Sequence, residues 1–135
     1  MMATKTLSFV LKGRWYDMIK SGEKPEEYRK ITPYWLKRIF WYNTNAPFRP
    51  LIPIKDDFWK DFLPADANER IKALKHLLKV GVLVPKHNKA TLFRGYTRNR
   101  PFENRKIKGI VIGQGRPEWG AEPGTEYFVI KLKQE

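Results

Sequence analysis

The chain has 135 residues, 41% of them hydrophobic, with 27 Lys or Arg against 14 Asp or Glu, a formal net charge of +13, and no Cys. That length fits one compact domain. The missing Cys excludes a disulfide framework, a thiolate metal site and a cysteine nucleophile, and no apolar run approaches the roughly 18–20 residues of a membrane span. The opening Met1–Thr6 runs into an alternating pattern rather than an apolar signal core, so a cytoplasmic protein without a membrane partner is expected.

Thr6–Leu11 alternates, with Leu7, Phe9 and Leu11 on one face, and predicts a first strand broken by Lys12-Gly13. Trp15, Met18 and Ile19 stand at i, i+3, i+4 and predict a short helix that Gly22 stops. Thr32-Pro33 reads as an N-cap followed by Pro at the first helical position. Leu36, Ile39 and Phe40 then form the buried stripe of a second helix ending near Tyr42.

Residues 43–65 carry Pro47, Pro50, Pro53 and Pro64, which predicts mostly ordered loop, with one helical turn starting at Asp56-Asp57-Phe58-Trp59. Asp66-x-x-Glu69 is a capping-box variant. Behind it Ile71, Leu74 and Leu78 make a helical stripe, while Arg70, Lys72, Lys75 and Lys79 fall off it and give a basic solvent face; Gly81 ends the helix. Thr91–Tyr96, Ile107–Ile112 and Tyr127–Leu132 are short, rich in β-branched or aromatic residues, and predict three strands. One strand, a helical middle and three closing strands imply an α+β fold with a mostly antiparallel sheet. Strands this short often close into a small barrel, here flanked by several helices.

Charge is unevenly spread. Between Arg70 and Lys108 stand twelve Lys or Arg and a single acid, Glu103. Such a field attracts polyanions and is the footprint of a nucleic-acid binder. Within it, Arg94-Gly95-Tyr96-Thr97-Arg98-Asn99-Arg100 interleaves cations with aromatics, a composition suited to phosphate contacts with base stacking. The run continues through Pro101-Phe102, and its alternative is a hairpin loop with Tyr96 and Phe102 in the core and exposed arginines. Trp119, between Pro117 and Gly120, is either a stacking lid over a base or a plug of the barrel end. His76 and His87 lie eleven apart with no ligand-spaced partner, and Ser8 and Ser21 have no local His, so neither a metal, another cofactor nor a hydrolase triad is expected.

The densest chemistry is Gly22-Glu23-Lys24-Pro25-Glu26-Glu27-Tyr28-Arg29. If 26–29 is extended, Glu27 and Arg29 project to one face. A carboxylate between two cations orients both and leaves further donors for a phosphate or polar ligand. The competing reading is a solvated turn with a surface ion pair of little worth.

Gly22-x-Lys24-x-x-Glu27-x-Arg29, following a Leu7–Leu11 strand and a Trp15/Ile19 helix, resembles the G-x-K-x-x-E-x-R signature of the ASCH domain, a family related to the RNA-binding PUA barrels. Phe93-Arg94-Gly95-Tyr96, Ile107–Ile112, Gly115–Ala121 and Tyr127–Leu132 resemble the closing half of short ASCH proteins of phage and prophage type. Pro25 stands where the family often has Thr, and residues 43–89 look like an insertion into a single domain spanning 1–135. The resemblance implies a small PUA-like barrel and a cleft floored by the signature, where RNA, single-stranded nucleic acid or a nucleotide binds. Lys24, Glu27, Arg29, Arg94, Tyr96, Arg98, Arg100 and Trp119 are its expected contacts. One branch of the family hydrolyses N4-acetylcytidine with the motif Lys and a Thr at the position of Glu27, and another is ribonuclease-like. In an enzyme of either kind Lys24 and Glu27 would be the catalytic pair, with Glu27 as general base.

Overall fold

A computed structural model describes residues 6–134; Met1–Lys5, read above as the lead into the first strand, lie outside them. The chain forms a mixed α+β structure in two compact units. The first is built from the chain up to Arg29 and from His87 onward, the second from Lys30–Lys86. The second unit starts before the 43–89 segment that looks like an insertion beside the ASCH resemblance, and ends within it.

The first unit is a five-stranded sheet carrying one helix. Strand β1 (Leu7–Leu11) buries Leu7, Phe9 and Leu11, as its alternation requires. Helix α1 (Gly13–Ser21) follows, and strand β2 (Glu26–Lys30) is the extended segment that puts Glu27 and Arg29 on one face. Gly22 ends α1 in the left-handed region at φ 89°, donating its N–H to the Ile19 carbonyl at 3.0 Å. The helix turns Tyr16 and Ile19 into the core, whereas Trp15 is only half-buried. Of the stripe anticipated at Trp15, Met18 and Ile19, only Ile19 is fully buried; Met18 and Trp15 are half-buried, and Tyr16 takes the second core position.

The closing strands of this unit are β6 (Lys89–Arg94), β7 (Phe102–Gln114) and β8 (Glu126–Leu132); all three expected strands exist, but β6 starts two residues before Thr91 and ends at Arg94, leaving Gly95 and Tyr96 in the loop. Strand β7 is longer than its apolar core because Phe102–Lys106 pairs with Lys89–Phe93 and keeps the ladder going through charged residues. Strand β8 buries both faces: Phe128, Ile130 and Leu132 on one side, and Tyr127 and Val129 against Ala121 and Tyr28 on the other. The strand order is β1-β6-β7-β8-β2. The β6–β7 and β7–β8 pairs are antiparallel, but β1 runs parallel to β6, with Leu7 opposite Ala90. That parallel pair qualifies the antiparallel expectation; it is possible because residues 12–88 supply the long return that a parallel connection demands.

The second unit begins with helix α2 (Pro33–Ile39), whose Thr32 hydroxyl caps the Trp35 N–H at 3.3 Å. The helix is shorter than its stripe suggested. Phe40 is fully extended (φ −125°, ψ 150°) and opens strand β3 (Phe40–Asn43), which pairs antiparallel with β4 (Leu51–Pro53) and β5 (Leu83–Pro85). The expected loop over 43–65 thus follows directly on β3 and contains the short strand β4 and a π-helical turn at Phe58–Phe62. Helix α3 (Ala67–Lys79) is capped as its sequence indicates, Asp66 accepting from the Glu69 N–H at 3.0 Å. Leu36, Ile39, Phe40, Leu74 and Leu83 form the driest part of this unit's core. Lys72, Lys75 and Lys79 are exposed. Arg70 is held differently, its guanidinium 4.7 Å from the Trp59 ring and donating to the Pro64 and Ala65 carbonyls.

Candidate functional site

Strands β1 and β2 are the two ends of the five-stranded sheet, so both carry backbone groups that no neighbouring strand in this order satisfies. The ends nevertheless approach each other. An Arg29 guanidinium N–H on β2 donates to the Val10 carbonyl on β1 at 3.3 Å, which requires the sheet to curl. Between them lies a cleft of about 320 Å³. Val10, Leu11 and Lys12 border it from the first strand, Glu27, Tyr28 and Arg29 from the second, and Trp15, Tyr96, Trp119 and Gly120 from helix and loops.

The signature residues form a row leading from the core to this cleft. Lys24 is buried, its ammonium donating to the Glu26 carbonyl at 2.7 Å and to Glu27 Oε1 at 2.6 Å. Glu27 Oε2 accepts from Arg29 at 2.6 Å. Side-chain exposure rises along the row from 1% at Lys24 through 8% at Glu27 to 21% at Arg29. Lys24 therefore acts on the cleft through Glu27, while Glu27 and Arg29 face it directly. The ammonium lies 5.2 Å from the Tyr28 ring, and the Arg29 guanidinium 4.9 Å from the buried Phe9 ring. Each cation thus has an aromatic ring within cation–π range as well as its carboxylate.

Tyr28 fixes the far side of β2. Its hydroxyl donates to Glu26 Oε2 at 2.6 Å and accepts from the Arg116 N–H at 3.0 Å. Burial, then the bond to Glu26, pushes its phenol far above the ordinary tyrosine range, so it remains a neutral donor at physiological pH. This bond ties β2 to the loop that carries Trp119.

The structure brings four of the eight residues expected at the site to the cleft: Glu27, Arg29, Tyr96 and Trp119. Tyr96 is 85% exposed and Phe102 55%, so neither is the core residue of the alternative hairpin reading. Trp119 is half-buried within a 3-10 turn, with the Arg116 guanidinium 5.1 Å from its ring. Lys24 stands behind Glu27. Arg94, Arg98 and Arg100 do not border the cleft. Arg94 forms a bidentate pair with Asp17 at 3.1 and 3.2 Å, which holds the Asp17 carboxyl below its usual range. Arg100 stacks 4.1 Å from the Phe93 ring and donates to the Gly95 carbonyl, whereas Arg98 is exposed.

Trp15 was missed as a cleft residue because its helical spacing marks it for the core. Its partner Gly120 carried a usable signal, a glycine directly after an aromatic in a Pro-containing loop. Gly120 has φ 97°, and a Cβ there would lie 3.0 Å from the Trp15 ring. Gly120→Ala is expected to cost about 1–2 kcal/mol for the left-handed backbone alone, and to displace the Trp15 ring. Unfolding in urea checks the first and near-ultraviolet circular dichroism the second; wild-type values in both would refute the packing described.

Among the described residues no cluster of three or more His, Asp or Glu could hold a metal ion, and no helix is long and apolar enough to cross a membrane. Compared with models of protein families, with curated proteins and with solved structures, the chain matches none.

Proposed function

We propose that the chain is an ASCH-like, PUA-related protein that binds single-stranded nucleic acid, RNA in particular, or a nucleotide, by seating one base in the β1–β2 cleft. The observation that carries this reading is the pairing of a polar floor with aromatic walls. Glu27 and Arg29 offer an acceptor and a cation side by side, with Trp15, Tyr96 and Trp119 around them. A carboxylate has about four lone-pair positions, and the two ion pairs occupy one on each Glu27 oxygen. An N–H of a heterocycle uses what is left, and an aromatic wall takes its flat face. A bare phosphate is ill suited to that floor, because it would meet the Glu27 charge.

The surrounding charge supports the same reading. The first unit has sixteen Lys or Arg against nine Asp or Glu, a net +7, so a strand's backbone would be attracted while its base enters the cleft. Hydrolysis through Lys24 is not favoured, because that ammonium is buried and engaged by Glu26 and Glu27.

The test is a titration of the protein with the four nucleosides, their monophosphates and a short single-stranded RNA and DNA. Trp119→Ala should weaken the best of these ligands by about fivefold to a hundredfold, the range for losing one base–aromatic stack. Tyr96→Ala should weaken it less, since that ring lies at the exposed mouth. Equal affinities in wild type and Trp119→Ala would remove the cleft from the binding reading.

A further inference from the structure

The second unit contains a pair of cations that the cleft does not use. Arg38 is in the last turn of α2, its guanidinium carbon 5.4 Å from the Tyr34 ring and 5.4 Å from the Trp35 ring. Its Nε is buried and has no hydrogen-bond partner. Lys86 follows β5, its ammonium 4.5 Å from the Trp41 ring. The Lys86 N–H donates to the Ile39 carbonyl at 2.8 Å, which fixes its backbone beside the residue next to Arg38. Neither cation has a carboxylate partner among the described residues. Burial first, and the Arg38 charge second, hold the Lys86 ammonium below the usual lysine range.

Two like charges on stretches of backbone tied by the Lys86–Ile39 hydrogen bond, each against an aromatic surface and partly out of water, oppose folding unless something offsets their repulsion. An oxyanion does so, and its shape matters. A planar carboxylate is satisfied by one guanidinium fork. A phosphate has oxygens enough to meet the fork and the ammonium together. The rings pre-order both side chains, so little freedom is lost when the anion arrives. We propose that Arg38 and Lys86, framed by Tyr34, Trp35 and Trp41, form a phosphate-binding site in the second unit.

This inference goes beyond the cleft reading and does not depend on it. Two sources supply the same group: a free phosphate or phosphomonoester, and the diester backbone of a nucleic acid. Isothermal titration with inorganic phosphate, AMP and a single-stranded oligonucleotide separates them. The proteins compared are wild type, Lys86→Met, and Arg38→Lys, which keeps the charge and the stem but loses the fork. Saturable inorganic phosphate binding, weakened about tenfold in both variants, establishes a site for free phosphate; that ion has no ring for the cleft, so this result is independent of any base. Oligonucleotide binding weakened to the same extent in both variants, with no response to inorganic phosphate, assigns the site to the backbone. In either case the Lys86 ammonium resonance should move on saturation. The proposal is overturned if none of the three probes binds, or if both variants bind all of them as the wild type does.

Discussion

Glu27→Gln should be among the most damaging single substitutions in the first unit, lowering stability by about 3 kcal/mol, the lower end for removing one partner of a buried ion pair. The reason is the burial of Lys24. Its side chain is 1% exposed and loses the one carboxylate it pairs with among the described residues, while Gln returns a weaker, neutral acceptor. Lys24→Met should cost less, because Glu27 keeps Arg29 and reaches the cleft, where water solvates it. The double variant Lys24→Met/Glu27→Gln should then be more stable than Glu27→Gln alone, since no unpaired buried ammonium remains. Urea unfolding of the four proteins measures the cycle. A Glu27→Gln protein within about 0.5 kcal/mol of wild type, the usual scatter of surface changes, would show that the row is solvated and the burial unimportant.

That expectation could not come from the spacing alone, which left the Lys24–Glu27–Arg29 cluster open between an organised site and a solvated turn. Period 2 does put Glu27 and Arg29 on one face, and the structure has them there. What spacing could not show is that this face turns inward, because the direction depends on β2 pairing with β8 at the far end of the sheet. The same non-local cause explains the parallel β1–β6 pair. Leu7–Leu11 and Lys89–Arg94 are each legible as strands, but their mutual direction is fixed by residues 12–88, not by anything within either strand.

Local signals were most faithful where a single chemical device decides the outcome. Thr32, Asp66 and Gly22 are caps, and each makes the hydrogen bond its residue type implies. They were least faithful where one apolar residue satisfies two periodicities. Phe40 continues the Leu36–Ile39 stripe and also begins the alternating Phe40–Asn43 strand, and pairing with Leu83–Pro85 settles it as extended. Trp15 belongs to the same class: a large ring next to Tyr16 fits either side of a short helix, and the contact with Gly120 is what turns it toward the cleft.

The location of the cleft follows from the topology. A sheet that ends on two strands needs some device to protect those edges. Here one device is a side chain, Arg29, whose guanidinium reaches the Val10 carbonyl across the gap. Because a side chain spans the opening, space remains beside it, and the residues exposed there are the signature pair and the surrounding aromatics. The signature thus both bridges the sheet ends and lines the opening between them.

If the cleft holds a base of a longer strand, binding should be strongly salt-dependent. Engaging about four to six phosphates of a single strand gives a log–log slope of roughly −3 to −4, so affinity should fall about a hundredfold between about 50 and 200 mM salt. The structure sorts which cations should carry that slope. Arg98 is exposed, whereas Arg94 is already paired with Asp17, and Arg100 is stacked on Phe93. Arg98→Gln should therefore reduce the slope by about 0.7, one phosphate contact on a single strand, and Arg94→Gln should leave it nearly unchanged. On the second unit, replacing the exposed Lys72, Lys75 and Lys79 together by Gln should leave the melting temperature unaltered while lowering affinity, because these side chains lie off the buried stripe of α3. Fluorescence anisotropy of a labelled strand at several salt concentrations reads all of these. A slope near zero for the wild type, or a loss of slope in Arg94→Gln but not in Arg98→Gln, would mean that the positive charge of this chain serves something other than a phosphate backbone.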